Sequence, residues 1–301
     1  MPYTLIRPFS TCFAALVIAT VLSGCATFKS VDEFAQTSQQ MTATFAPIAN
    51  ATVDSCLENA LRKKLISSEG FDPAAVETQA RIGCDEIAES NKKVVRLNGI
   101  LVRYAETLGN LSGSKVADYH DEFSGLGEAL GSIELPGSST PLLDPSQVNI
   151  AMKLSEYLGR LLTQNMQKSA ISDLLDQQEA VNMISSALNT YVQTAYQYRI
   201  DIERRDSGEL HSALNATARS EPLATNYVKV RLYRDEKQLS ERAKIPDAYA
   251  KAVTAFQDSV KNLRNEKQQD DSERLRQQLL AFSERVDELK HQVAFLAPAK
   301  W

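Results

Sequence analysis

Histidine and cysteine are the residues of this chain best suited to bind metals or act as nucleophiles, but their spacing matches no motif for either role. The three histidines, His120, His211 and His291, are far apart in the sequence. The chain contains no HExxH or CxxC motif, no phosphate-binding loop and no GxSxG nucleophile elbow. We therefore expect no metal, no cofactor and no enzymatic activity. An envelope hydrolase, with a site assembled from scattered residues, is the alternative.

The first 24 residues have the composition of a secretory signal. Arg7 is their only charged residue, and the apolar stretch 13–22 follows it. A charged start, a short apolar core and small residues at the end are typical of an export signal. The apolar stretch is short for a membrane span, which needs about 20 apolar residues. The sequence therefore predicts that residues 1–24 are a signal peptide that is removed on export.

The segment Leu22-Ser23-Gly24-Cys25 resembles the lipobox of bacterial lipoproteins at all four positions. The resemblance implies cleavage after Gly24, a diacylglyceryl thioether on Cys25 and acylation of the new amine. Several acyl chains would anchor the protein stably in a membrane. Ala26, rather than Asp, follows the cysteine, which in proteobacterial lipoproteins implies the outer membrane, facing the periplasm of a Gram-negative cell. An ordinary signal peptide with an incidental cysteine is the alternative.

Cys56 and Cys84 would remain after export, and an oxidising compartment favours a disulfide between them. The segment 67–73 between them carries helix-breaking residues, and Gly70 lies midway between the two cysteines. In an antiparallel helical hairpin that turns at this point, both cysteines lie at the same height. We therefore predict a Cys56–Cys84 disulfide, with two buried free thiols as the alternative.

Apolar residues recur at intervals of three and four along nearly all of the chain after residue 31. This pattern predicts amphipathic helices, and its heptad-like spacing indicates that they pack against one another. Segment 227–233 alternates with a period of two, as a strand would, but no partner strand is found, so we interpret it as a helix. The predicted fold is all-α, an elongated antiparallel helical bundle with long coiled-coil-like hairpins.

The clearest break in the chain is the Pro/Gly/Ser-rich linker 135–147, which ends with the helix-start signals Asp144 and Pro145. It separates an N-terminal helical hairpin region, 32–134, from a C-terminal region of long helices, 148–301, and the two could share one core. Residues 25–31 are predicted to form a short lipidated tether. Such a tether reaches roughly 20 Å when extended, so the folded body is expected to lie close to the membrane.

Two groups of residues are candidates for a partner-binding surface. Tyr196 lies off the apolar stripe of its predicted helix, so we expect its side chain to be exposed. Lys229, Arg231 and Arg234 belong to a basic cluster that could contact lipid head groups or an acidic partner. The alternative for the basic cluster is an ordinary solvated helix face.

Charge and compartment restrict the classes of function. A formal net charge of −5 and the predicted export both argue against nucleic acid as a partner. The apolar faces, the predicted lipid anchor and the lack of catalytic motifs favour a non-enzymatic scaffold, adaptor or assembly factor of the envelope. It would bind a protein partner there, as a monomer or a homo-oligomer. The alternatives are an immunity or inhibitor lipoprotein against a periplasmic toxin or lytic enzyme, and a carrier of lipid or another apolar ligand.

Overall fold

The structure is a computed structural model that describes residues 12–67, 70–113, 126–135, 140–163, 169–266 and 272–296. These ranges form eleven α-helices, one π-helical turn and one short 3-10 helix, with an isolated β-bridge between Glu134 and Pro141 and no strand. The predicted all-α fold is therefore confirmed. The elements are α1 Cys12–Ala43, α2 Phe45–Ile66, α3 Pro73–Ser112, α4 Leu126–Gly131, α5 Pro145–Thr163, α6 Ser169–Leu175, α7 Gln178–Tyr191, the π turn Val192–Tyr196, α8 Gln197–Thr217, α9 Pro222–Arg242, α10 Ile245–Glu266, α11 Ser272–Val293 and the 3-10 helix Ala294–Leu296.

Local signals explain where several helices begin and end. The Asp72 carboxylate caps α3 by accepting hydrogen bonds from the backbone amides of Ala74 and Ala75, at 3.0 and 3.3 Å. Gly113 ends α3 in the left-handed conformation, with φ of 106°. α1 ends at Ala43, four residues before Pro47, because proline has no amide hydrogen to donate to that carbonyl.

One continuous hydrophobic core joins the two predicted regions of the chain. Phe34 of α1 stacks on Phe256 of α10, with ring centroids 5.5 Å apart, and packs against Phe282 of α11 at 5.8 Å. Residues of both 32–134 and 148–301 belong to the same buried cluster. The apolar pattern with intervals of three and four includes residues 116–133, which lie partly outside the described residues, and its described members Leu126, Leu130 and Ile133 are buried.

The body is elongated because α1 and α2 follow one another along the whole of α3. Asn98 of α3 donates a hydrogen bond of 3.0 Å to the carbonyl of Thr42 in α1. Asn91, two helical turns earlier in α3, donates to the hydroxyl of Thr52 in α2 at 2.9 Å. α3 has 40 residues, and at 1.5 Å per residue it is about 60 Å long.

The two ends of this body carry different parts of the chain. We call the end with the α2–α3 connection the distal end and the opposite end, at which α3 finishes, the proximal end. α8 runs parallel to α2, because Ser55 donates to the carbonyl of Arg199 at 3.5 Å and Arg62 lies 3.9 Å from Glu203. The α8–α9 hairpin therefore also points towards the distal end.

Candidate functional site

Cys25 lies inside α1, in the part of the helix that leads to the proximal end. Residues 25–31 are helical, so the prediction of an extended tether is wrong. The reason is that Phe28 already packs against the core and Val31 is buried, which extends the buried stripe of α1 towards Cys25. These seven residues span about 10 Å as a helix, half the extended length. None of the described helices combines the length and apolar composition of a membrane-spanning segment.

Cys56 and Cys84 form the predicted disulfide, which joins α2 to α3. Their Cα atoms are 6.1 Å apart, and Cys84 is buried in the interface of the two helices. The disulfide joins the two helices of the distal hairpin at a point between its turn and the hydrophobic core. It therefore holds together a part of the body in which the apolar residues Leu65, Phe71 and Ile82 are exposed.

The prediction that Tyr196 is exposed is wrong, because its side chain is 0% exposed. Its hydroxyl donates a hydrogen bond of 3.1 Å to the backbone carbonyl of Arg242. The cause is the π turn Val192–Tyr196, which adds one residue to a helical turn and so rotates the residues after it. Tyr191 and Tyr196 are thereby brought to the same buried side. Tyr198, which follows the π turn, is the exposed tyrosine of this group.

Helix α9 carries the three basic residues that were predicted to bind a partner, and it is a helix throughout segment 227–233, as predicted. Pro222 occupies the first turn, where its missing amide hydrogen costs nothing. The inner face buries Thr225, Leu232 and Leu239. Lys229 is half-buried at the edge of the outer face, whereas Arg231 and Arg234 are exposed.

The outer face of α9 carries four apolar residues that were not predicted to be exposed, and these are Leu223, Tyr227, Val230 and Tyr233. Their side chains are 84%, 70%, 54% and 57% exposed, respectively. The period-two alternation of 227–233 indicated this exposed face in the sequence, because a helix with that pattern has apolar residues on both faces. One of these faces must remain uncovered when the other packs on α8. Lys237 belongs to the same outer face, with its Nζ atom 5.0 Å from the ring centre of Tyr233.

A buried ion pair joins the end of α9 to α8 within the α8–α9 hairpin. The guanidinium of Arg242 donates hydrogen bonds to both carboxylate oxygens of Glu203. Burial opposes the charge of Arg242, but the Glu203 carboxylate outweighs that effect and raises the pKa of the guanidinium. On the same hairpin, Ser207 and His211 lie 2.9 and 3.3 Å from Glu236. The acidic side chain of Glu236 is thereby directed away from the outer face.

A groove of about 620 Å³ lies where the end of α1, the start of α2 and the end of α11 meet. Its volume falls in the range of small-molecule sites. Burial raises the pKa of Asp54 on its wall, an effect that the nearby Arg242 and Arg81 oppose. The apolar part of the lining consists of Ala43, Pro47, Ala51, Val293, Ala294 and Leu296.

The described part of the chain contains no group of three or more His, Cys, Asp or Glu side chains placed to hold a metal ion. His211 pairs with Glu236, and His291 packs edge-on against Phe295. His120 lies outside the described residues. Comparisons of the chain with protein-family models, with curated proteins and with solved structures found no match.

Proposed function

We propose that the protein is a lipid-anchored, non-enzymatic protein of the bacterial cell envelope that acts as a scaffold, adaptor or assembly factor. Acyl chains on Cys25 hold the proximal end at the periplasmic leaflet of the outer membrane. The distal end carries a partner protein. The lipobox-like segment 22–25 is the evidence for the proposed lipid anchor. The exposed apolar and cationic face of α9 is the evidence for the proposed protein partner.

The proposal rests mainly on the distance between Cys25 and the outer face of α9 along the long axis of the body. Cys25 lies in the part of α1 that leads to the proximal end. Arg242, at the end of α9, pairs with Glu203 at the level of Arg62 in α2, and the rest of α9 continues in the distal direction. A chain anchored at Cys25 would therefore present the end of α9 about 55 Å from the leaflet, as the helical rise from residue 25 to residue 62 indicates, and the rest of α9 farther away.

The anchor is tested by expression of the full chain in a Gram-negative host, with Cys25→Ser as the variant and Cys12→Ser as the matched control. We expect the wild type and Cys12→Ser to enter the detergent phase, with an intact mass that shows a diacylglyceryl group and a third acyl chain. Cys25→Ser should lack both properties. A processed wild-type chain with an unmodified sulfur at residue 25 would disprove the anchor.

The groove beside Asp54 supports a second candidate function, the transport of an apolar ligand. Its wall joins apolar side chains to the polar groups of Gln40 and Lys290, which lie 2.9 Å apart. Native mass spectrometry of the purified protein would reveal a bound lipid-sized mass in this case. The substitution Ala43→Trp, at an exposed position of the lining, should displace that mass if the groove holds it, and an unchanged mass would exclude the groove as the site.

A further inference from the structure

We infer that the outer face of α9 binds an acidic amphipathic helix of a partner protein. This inference rests on the proposed function for the existence of a partner, and it adds the site and the chemistry of that partner. The outer face is defined here by Leu223, Tyr227, Val230, Tyr233, Arg234 and Lys237.

The spacing of the outer face fits a second helix. Leu223, Val230 and Lys237 lie seven residues apart, and Tyr227 and Tyr233 flank Val230 at spacings of three. Residues at this spacing form a straight ridge along a helix, and such a ridge interlocks with the ridge of a neighbouring helix. From Leu223 to Lys237 the ridge is about 21 Å long, which corresponds to four turns.

The side chains of this face are of the types that dominate binding energy at protein interfaces. Tyrosine and arginine are enriched among such residues because they combine a large apolar contact area with polar groups. Tyr233 is held beside Lys237 in a cation–π contact of 5.0 Å. Part of the surface is thus ordered before a partner arrives, which lowers the entropic cost of binding.

The charge of the face determines the charge of the partner. Arg234 and Lys237 lie on the face, whereas Glu236 of the same helix is directed inwards to Ser207 and His211. The outer face is therefore cationic on a chain whose formal net charge is −5. Acidic side chains beside the apolar ridge of a partner helix would complement these two cations.

The same observations disfavour two other occupants. A second copy of the chain would bring a second set of Arg234 and Lys237 side chains to one narrow contact, and like charges repel there. If Cys25 anchors the protein, the membrane lies at the proximal end, far from this face. Cross-linking from α9 distinguishes a second copy and lipid from a partner protein.

The experiment places a photoreactive phenylalanine analogue at Tyr227 or Tyr233 in the full-length protein, expressed in the envelope of a Gram-negative host with its neighbouring genes. Leu280, an exposed apolar residue of α11, is the matched control position, and Phe71 samples the α2–α3 turn. We expect irradiation to link both α9 positions, but not position 280, to a different protein. The linked segment should carry a net negative charge and apolar residues at spacings of three and four.

Charge reversal then tests the role of the cations. The double variant Arg234→Glu/Lys237→Glu should lower the yield of this cross-link about tenfold, the effect of roughly 1.4 kcal/mol. Lys261→Glu/Arg274→Glu changes the net charge equally at exposed positions of α10 and α11 and should leave the yield within twofold.

The outcomes separate this inference from the proposed function. A cross-link from α9 to lipid, to a second copy of the chain or to a segment without excess acid would overturn the inference. So would an unchanged yield in the charge-reversed variant, or a cross-link at Phe71 with none at α9, and in the latter case the proposed function survives. The absence of a protein cross-link at every position would overturn both.

Discussion

The guanidinium of Arg242 donates two hydrogen bonds, of 3.0 and 2.8 Å, to the two carboxylate oxygens of Glu203. The pair joins the end of α9 to α8, and the guanidinium of Arg62 in α2 lies 3.9 Å from the same carboxylate. Glu203 is almost fully buried. Three helices thus meet at one charged group, and the orientation of the α8–α9 hairpin depends on it.

The substitution Glu203→Gln should lower the free energy of unfolding by about 3–5 kcal/mol, because it leaves the Arg242 charge buried without its partner. Urea denaturation measures this loss. Glu241→Gln is the matched control, since Glu241 forms a pair with the exposed Lys244 at 2.7 Å and should cost about 1 kcal/mol or less. Equal losses in the two variants would contradict a structural role for the buried pair.

Removal of the disulfide should loosen the distal hairpin. The double variant Cys56→Ser/Cys84→Ser loses a constraint over a sequence separation of 28 residues, which contributes about 3.5 kcal/mol on the loop-entropy model. Hydrogen exchange should accelerate most in α2 after residue 56 and in α3 before residue 84. The amides of α10 serve as the internal control. A uniform acceleration in all helices would contradict a local role for the bond.

The π turn should tolerate the deletion of one residue. Deletion of Thr194, an exposed member of that turn, would restore an ordinary α-helical turn and keep the residues on either side in register. We expect a cost within about 1 kcal/mol by thermal unfolding. Deletion of Asp201, an exposed residue of the regular helix α8, rotates the following residues by about 100° and should prevent stable folding. Similar stabilities of the two deletion variants would disprove that the π turn contains an extra residue whose removal keeps the flanking helices in register.

Alkaline pH should destabilise the fold through its buried tyrosines. Burial raises the pKa of Tyr191 and of Tyr196 to about 12, and it also raises the pKa of Tyr104 and Tyr249. The unfolded chain releases these protons near pH 10, so the folded state binds more protons above that pH. The stability is then fully present below pH 10 and falls as the pH rises towards 12, by about 1.4 kcal/mol per pH unit for each tyrosine.

Urea unfolding between pH 8 and 11.5 measures this slope. The variant Tyr196→Phe removes one of the four groups and should reduce the slope by about a quarter in the range where all four contribute. Helical content at pH 8 is the control that the variant folds. An unchanged slope in this variant would show that Tyr196 does not contribute to the loss of stability at alkaline pH.

Features that depend on neighbouring residues could be predicted from the sequence. Helix α5 begins at Pro145, as the helix-start signals Asp144 and Pro145 predict, and the helix-breaking segment 67–73 separates α2 from α3, because such signals act locally. The Cys56–Cys84 bond follows from the same signals, since the turn at Gly70 places both cysteines at one height. The amphipathic pattern likewise determined the all-α fold.

The sequence by itself thus determined the helices, the turn of the first hairpin and the disulfide across it. Only the tertiary structure decided that Tyr196 is buried, that Glu203 pairs with Arg242 and that α9 has an uncovered apolar face. The extra residue of the π turn leaves spacings of three and four on either side, so the pattern does not reveal the rotation. The ion pair joins residues 39 positions apart, and which face of α9 stays exposed depends on how α8 packs against it. Contacts of this kind exist only after the helices have assembled.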